Sequence, residues 1–98
     1  MTRKNKSGFE RNDAKGKPRY DLIPIFMLDR LAALYAKGAE KFGENNWMKA
    51  CNQEDYDSFE ASFCRHSVEF RVDAQNEDHF AALIWNAIGM EHVKNQLK

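Results

Sequence analysis

The chain has 98 residues, of which 43% are hydrophobic, and no net charge at neutral pH. This composition is typical of one small globular domain and excludes a disordered chain. No apolar run approaches the roughly 20 residues that a membrane helix needs, and the polar, basic N-terminus predicts no secretory signal. Cys51 and Cys64 match no zinc or redox spacing, so we expect a reducing cytoplasm.

The charges are distributed unevenly along the sequence. Residues 1–20 hold seven Lys or Arg against two acids, whereas the remainder holds eight basic residues against thirteen acidic ones. We expect a basic, mobile N-terminal arm over residues 1–16 and a single helical domain over residues 17–98. An alternative role for the arm is to reach over an anionic ligand or an acidic neighbouring subunit.

The first predicted helix runs from about Pro24 to Phe42. Pro24 suits a first helical turn, and Asp21 is a candidate cap. Gly38 interrupts the helix at a cost of about 1 kcal/mol relative to alanine, which close approach of a ligand or a neighbouring helix would explain. Gly43 suits the left-handed residue that ends a helix. One apolar face recurs at three- and four-residue steps, formed by Leu28, Leu31, Ala32, Tyr35, Ala39 and Phe42.

A connection over residues 44–52 leads to the second predicted helix. Asn52 is its expected cap, and acids follow in the first turns, where the helix dipole favours them. The helix runs from about Gln53 to Val72. Its apolar stripe is mostly aromatic, and His66 lies on that stripe.

The third predicted helix follows a turn over residues 73–76. Asn76 is its expected cap, and Glu77 and Asp78 occupy its first turn, where acids compensate the helix dipole. No window alternates with a two-residue period, so we predict no sheet. The expected fold class is all-α, with three main helices in a small bundle that oligomerisation completes, because a chain this short buries little surface alone.

A first polar cluster surrounds the end of the first predicted helix. Glu40 could ligate Mg²⁺, and Lys41 could meet a phosphate as a point charge. Trp47 could stack on a nucleobase while Asn46 binds its edge or the sugar. The alternatives are a solvated helix end for the charged residues and a tryptophan that fills a gap between helices.

A second polar cluster lies on the second and third predicted helices. His66 and Glu69 are three residues apart and could be metal ligands or proton carriers, with Arg65 on a phosphate. The alternative is an Arg65–Glu69 surface pair beside a core histidine. His79 and Asn86 share one face of the third helix, and because buried polar groups need partners, they predict either a site or an intersubunit network.

No phosphate-binding glycine loop, nucleophile elbow or catalytic Cys/His pair is present in the sequence. The acids and histidines favour metal-assisted hydrolysis over covalent catalysis.

Four segments stand out together: Arg19-x-Asp21-Leu22-Ile23-Pro24, Gly38-Ala39-x-Lys41-Phe42-Gly43-x-x-Asn46-Trp47, Arg65-His66, and Glu77-Asp78-His79 through Trp85-Asn86. This set resembles the phage and bacterial dATP/dGTP diphosphohydrolase family, which is MazZ-like and allied to the MazG-type all-α nucleoside triphosphate pyrophosphatases. The resemblance covers residues 17 to about 92, and the glycine-to-tryptophan segment is its specific part.

The resemblance implies an all-helical, oligomeric, magnesium-dependent enzyme. Such an enzyme cleaves a purine deoxynucleoside triphosphate to the monophosphate and pyrophosphate and remodels nucleotide pools. The MazG-type hallmark is Glu-x-x-Glu followed by Glu-x-x-Asp, whereas this chain has His66-x-x-Glu69 and Glu77-Asp78. The resemblance assigns Lys41, Asn46 and Trp47 to the nucleotide site, and it assigns to a second wall Arg65, His66, Asp78, His79 and Asn86.

We therefore predict metal-dependent hydrolysis of dATP or dGTP, with Mg²⁺ or Mn²⁺. Expected partners are a purine deoxynucleotide and further copies of the chain, not a membrane or a nucleic acid. The main alternative is a non-catalytic helical module whose basic arm and Trp47 engage a protein or nucleic acid. His66 and His79 are the candidate catalytic residues, as ligands or as a general base. The candidate metal ligands are Glu40, Glu69 and Asp78, and the candidate substrate-binding residues are Lys41, Asn46, Trp47, Arg65 and Asn86.

Overall fold

The computed structural model describes residues 2–12 and 15–98. Three helices dominate it, which confirms the all-α class. The elements in chain order are strand β1 (Thr2–Lys4), strand β2 (Glu10–Asn12), a 3-10 helix (Tyr20–Leu22), helix α1 (Ile25–Phe42), a second 3-10 helix (Asn46–Lys49), helix α2 (Gln53–Arg71) and helix α3 (His79–Leu97). Over these described ranges, no helix combines the length and apolar character that crossing a bilayer requires.

The N-terminal arm contains a short hairpin, so the prediction of no sheet is wrong there. β1 and β2 pair antiparallel, with Thr2 opposite Asn12. Gly8 allows the reversal with a φ of 92°. Strands of three residues are too short to reveal a two-residue period, and the side chains of β2 are all exposed. The expected arm also includes residues 1, 13 and 14, which lie outside the described residues; its mobility stays a prediction.

Helix α1 has nearly the predicted bounds. Gly43 ends it with a φ of 95°, and its N–H donates to the carbonyl of Ala39 at 2.8 Å. The predicted cap is wrong, because the Asp21 carboxylate accepts two hydrogen bonds from the Arg19 guanidinium, at 2.9 and 2.7 Å, instead of a bond from the helix. Pro24 therefore opens the helix without a side-chain cap.

The packed face of α1 is narrower than the predicted apolar face. Leu28 and Phe42 belong to the predicted face but are 49% and 61% exposed. The half-buried stripe instead consists of Met27, Arg30, Leu31, Leu34, Tyr35, Gly38 and Ala39. This stripe is narrow because α1 packs along α3 and does not reach α2.

Helix α2 begins as predicted, with a reciprocal capping box. The Asn52 side chain accepts a bond from the backbone N–H of Asp55 at 2.9 Å, and the Asp55 carboxylate accepts from the N–H of Asn52 at 3.3 Å. These bonds satisfy backbone donors that have no partner within the helix.

Helix α3 starts later than predicted, at His79, and its cap is Asp78 rather than Asn76. The Asp78 Oδ1 accepts from the N–H of Ala81 at 3.1 Å. The Asn76 Oδ1 lies 2.8 Å from the His79 Nε2 and is therefore not available as a cap. Glu77 and Asp78 consequently precede the helix and do not occupy its first turn.

Helix α3 is the centre of the fold and packs against both α1 and α2, which do not pack against each other. α1 runs parallel to α3, since Arg30 meets Asp78 and Tyr35 meets Trp85. α2 runs antiparallel to α3, so that the end of one lies beside the start of the other. A cleft therefore opens between α1 and α2, with α3 as its floor.

Candidate metal centre and adjoining cavity

Four side chains converge where α2 ends and α3 begins: His66, Glu69, Glu77 and His79. Each offers one possible ligand atom, and these atoms lie within 4.8 Å of one another. The antiparallel packing of α2 and α3 produces this meeting, because it places the last turns of α2 beside the first turn of α3. His66 and Glu69 share a face of α2, as residues three apart on a helix do. We call these four residues the His/Glu cluster.

The two histidine rings of the cluster face each other through their Nδ1 atoms. The Nδ1 atoms of His66 and His79 are 2.9 Å apart, and the residues are only 6% and 3% exposed. The Oε1 of Glu77 lies 3.8 Å from each of these Nδ1 atoms. Two neutral imidazoles can satisfy this arrangement only if one Nδ1 carries a proton and the other carries a lone pair.

The partners of His79 on its other side settle which nitrogen carries its proton. The His79 Nε2 lies 2.8 Å from the Glu69 carboxylate and 2.8 Å from the Asn76 Oδ1, both of which are acceptors. The proton of neutral His79 therefore lies on Nε2, and its Nδ1 offers a lone pair to the centre of the cluster. A carboxylate behind a histidine in this way also fixes the orientation of the ring.

The surroundings of His66 favour its neutral form. Burial lowers the pKa of His66 below its usual value; the Glu77 carboxylate opposes this, and Arg65 and His79 add to the lowering. Neutral imidazole is the form that binds metal ions, since a protonated ring has no free lone pair.

Two of the predicted metal ligands lie apart from the His/Glu cluster. The Asp78 carboxylate accepts two bonds from the Arg30 guanidinium, at 2.6 and 2.8 Å, and this contact lowers the pKa of Asp78 to about 2. The Arg30 guanidinium in turn stacks 4.8 Å from the centre of the Phe80 ring. Asp78 thus joins α1 to α3. Glu40 is exposed on α1 and belongs neither to the cluster nor to the wall of the cavity between α1 and α2.

A cavity of about 1000 Å³ occupies the cleft between α1 and α2. Its volume is at the upper end of the range of small-molecule sites. His66 and Glu77 belong to its wall, so the His/Glu cluster opens into it. Aromatic side chains form another part of the wall: Tyr35, Trp47, Phe59 and Trp85. The predicted substrate-binding residues on its wall are Lys41, Asn46, Trp47 and Asn86.

Trp47 both fills a gap between elements and lines the cavity. Its ring meets Tyr35 at 5.9 Å and His92 at 5.1 Å, both edge-on. The His92 Nε2–H donates to the Met48 carbonyl at 3.0 Å, which fixes the connection to α3. The gap-filling interpretation of Trp47 therefore describes its packing, while its place on the cavity wall leaves it accessible to a ligand.

The remaining predicted residues differ in their relation to the cavity. Asn86 is 5% exposed, and its Nδ2 donates to the Ala82 carbonyl at 2.8 Å; no described residue donates to its Oδ1. Lys41 is exposed on the cavity wall, and its Nζ lies 5.2 Å from the Phe42 ring centre. Arg65 is exposed and outside the wall, and in the described part of the chain it forms no ion pair with Glu69.

Sequence reasoning missed two members of the site. In the sequence, the helix dipole accounts for Glu77 and capping accounts for Asn76, so neither residue indicates a further role. The signal that could have found Glu77 is its spacing of two residues from His79 in a turn, which places both side chains beside the end of α2.

The sequence model of one protein family matches residues 7–98, and its description is dATP/dGTP diphosphohydrolase, N-terminal. The matched range contains all three helices, the His/Glu cluster and the whole cavity wall. Comparison with curated proteins and comparison with solved structures gave no match.

Proposed function

Since this chain belongs to the dATP/dGTP diphosphohydrolase N-terminal family, we propose that it hydrolyses dATP or dGTP to the monophosphate and pyrophosphate with a divalent metal ion. One observation carries the proposal: His66 and Glu77 belong both to a cluster that can hold a cation and to the wall of a cavity large enough for a nucleotide. Hydrolysis of a phosphoanhydride needs positive charge at the phosphates next to a place for the nucleoside.

The donors of the His/Glu cluster fit a divalent metal ion. His66, His79 and Glu77 would hold it, and Glu69 would orient His79 through Nε2. When bound, such an ion supplies charge for the phosphate oxygens and lowers the pKa of water. The two histidines act in this proposal as ligands, because their Nδ1 atoms point at each other and not at the open cavity.

The cavity wall divides into parts suited to the two ends of a nucleotide. Phe59 and His66 are seven residues apart on α2, so about 10 Å of wall separates the aromatic part from the cluster. The base would stack against the aromatic part, where Trp47 and Trp85 carry the largest rings, and the phosphates would extend towards His66. Asn46 and Asn86 would supply hydrogen bonds, and Lys41 would add positive charge on the α1 wall.

Arg65 remains a candidate phosphate contact from outside the cavity wall. It is exposed and adjoins His66 in sequence, so it could reach a phosphate only at the mouth of the site. Glu40 and Asp78 have no role in the proposed chemistry, because neither lies with the other donors.

A pyrophosphate-release assay across the four deoxynucleoside triphosphates, with a divalent metal ion, tests the proposal. We expect dATP or dGTP to yield equal amounts of monophosphate and pyrophosphate. Glu77→Gln should reduce turnover by at least about 100-fold, because it removes a donor from the cation site. Glu54→Gln, an exposed glutamate at the start of α2, is the matched control. No turnover of any nucleotide would overturn the proposal and favour a non-catalytic binding module.

We also propose that copies of the chain associate. The radius of gyration is 18.6 Å, whereas a compact chain of this length has roughly 13 Å. The solvent-accessible surface of the chain is 7867 Å², whereas a compact folded monomer of this mass exposes roughly 5800 Å². Ile25 and Phe26 lie in the first turn of α1 and are more than half exposed, because this turn extends beyond the start of α3. Light scattering should find an oligomer that Phe26→Glu dissociates, and a monomeric wild type would contradict this.

The activity would remodel nucleotide pools in the cytoplasm of a bacterium or a phage-infected cell. Cys51 and Cys64 are both exposed free thiols, which a reducing compartment keeps reduced.

A further inference from the structure

The His/Glu cluster has a donor set that selects among metal ions. The geometry points to a first-row transition-metal ion such as Zn²⁺, Co²⁺ or Fe²⁺, held by the Nδ1 atoms of His66 and His79 and by the Glu77 carboxylate, in place of the Mg²⁺ expected from the family resemblance. This inference deepens the proposed function and rests on its premise that the cluster holds a cation.

Three donor atoms form a triangle of suitable size. Its sides are the 2.9 Å between the two Nδ1 atoms and the 3.8 Å from each Nδ1 to the Oε1 of Glu77. The point equidistant from the three corners lies about 2.1 Å from each atom, and zinc–imidazole bonds measure about 2.0–2.1 Å. The spacing of the three donor atoms therefore suits a cation between His66, His79 and Glu77, and the two rings need only turn their Nδ1 atoms from each other towards the ion.

The chemistry of the donors decides between cation classes. Mg²⁺ prefers oxygen ligands in a regular octahedron and retains several waters. Imidazole nitrogen suits Zn²⁺, Fe²⁺ and their neighbours in the series, and two histidines with one carboxylate form a common catalytic set for them. Two of the three proposed donors here are imidazole nitrogens, and both rings are almost fully buried.

The surroundings of His79 prepare it for such an ion. The His79 Nε2–H donates to the Asn76 Oδ1, and the Glu69 carboxylate lies 2.8 Å from the same nitrogen, which leaves the lone pair of Nδ1 for the ion without any change of tautomer. His66 needs only to carry its proton on Nε2 instead of Nδ1. A carboxylate behind a metal-binding histidine raises its basicity, and loss of such a partner typically lowers metal affinity by about 10–100-fold.

The test is a titration of the metal-free chain with Co²⁺, followed by visible absorption and calorimetry. We expect one Co²⁺ per chain, absorption bands that indicate nitrogen ligation, displacement by an equal amount of Zn²⁺ and no displacement by a large excess of Mg²⁺. Displacement by Mg²⁺, or absorption identical to that of Co²⁺ in water, would overturn the inference.

Variants assign the ligands in the same titration. His66→Ala and Glu77→Gln should each weaken Co²⁺ binding by at least about 100-fold, and Glu69→Gln by about 10–100-fold. His92→Ala removes the third histidine of the chain, which lies outside the cluster, and should bind Co²⁺ as the wild type does. Glu77 is 53% exposed at its side chain, so Glu77→Gln tests the site even if His66→Ala does not fold. Unchanged affinity in Glu77→Gln would remove that ligand and overturn the inference.

The outcome separates this inference from the proposed function. A chain that binds Co²⁺ tightly but hydrolyses no nucleotide keeps the inference and loses the function. A chain that releases pyrophosphate with Mg²⁺ alone and binds no Co²⁺ keeps the function and loses the inference.

Discussion

The contact between α2 and α3 depends on a residue without a side chain. A Cβ atom at Gly89 would lie 2.7 Å from the Cζ of Phe59 and closer still to two other atoms of that ring. The ring cannot move freely, because it packs 5.5 Å from Trp85. Gly38 is the matched control: it lies inside α1, and an added Cβ there would meet no atom within 4 Å apart from the adjoining backbone of its own helix.

Alanine at these two positions should therefore have opposite effects on stability. In an open helix position, Gly→Ala stabilises by up to about 1 kcal/mol, and this gain is all that Gly38→Ala should show. At Gly89 the same gain is opposed by overpacking of about 1–3 kcal/mol. We expect Gly89→Ala to destabilise by about 1–2 kcal/mol, since the atoms that must shift belong to a packed aromatic ring and not to a flexible chain end.

Thermal unfolding followed by far-ultraviolet circular dichroism, at one protein concentration, measures both variants. For a domain of this size 1 kcal/mol corresponds to about 4–8 °C in Tm. Gly38→Ala should unfold up to about 8 °C above the wild type, and Gly89→Ala at least about 4 °C below it. Equal stabilisation of the two variants would show that α2 and α3 do not approach as closely as the structure has them.

Three further predictions concern the site and its support. Asp78→Asn should lose the ion pair with Arg30, which contributes about 1 kcal/mol because both side chains are about two-fifths exposed and solvent screens the pair. Asp78→Ala should lose a further ~1 kcal/mol because it also removes the helix cap. Urea unfolding measures the stability of both variants. Because the folded-state pKa of Asp78 is about 2 and the unfolded value is 3.8, the stability difference between wild type and Arg30→Gln should be nearly complete above about pH 5 and should be lost as the pH falls through 2 towards about 1; a difference as large at about pH 1 as at neutral pH would contradict this. Gly38→Ala adds a methyl group to the cavity wall and narrows the cavity, so it should raise the KM for the nucleotide although it stabilises the fold. An unchanged KM would mean that no ligand approaches Gly38.

Local signals made the helices predictable. Asn52 with Asp55 specifies the start of α2, and Gly43 specifies the end of α1, because in each case the groups that bond lie within four residues. The predicted start of α3 is two residues too early because Asn76 and Asp78 are both residue types that cap helices. Only the docking of Asn76 against His79 and of Arg30 against Asp78 selects among them.

Site residues were predictable only where the spacing of residues on a single helix indicates them. His66 and Glu69 share a face of α2, and a histidine on the apolar seam of α3 needs a partner, so three members of the cluster were named from spacing alone. Glu77 was not, because its contacts with both histidines exist only after α2 and α3 dock. Asp78 was chosen as a metal ligand, and its actual partner lies 48 residues away in sequence, which no local pattern reveals.

The most direct measurement of the central claim is a crystal structure with Co²⁺ and a non-hydrolysable dGTP analogue, with the metal located by anomalous scattering. The account predicts one ion bonded to the Nδ1 atoms of His66 and His79 and to Glu77, with the base beside Trp47 and the phosphates directed to the ion. An ion bound elsewhere, for example at Glu40, or a nucleotide outside the cleft between α1 and α2, would contradict it.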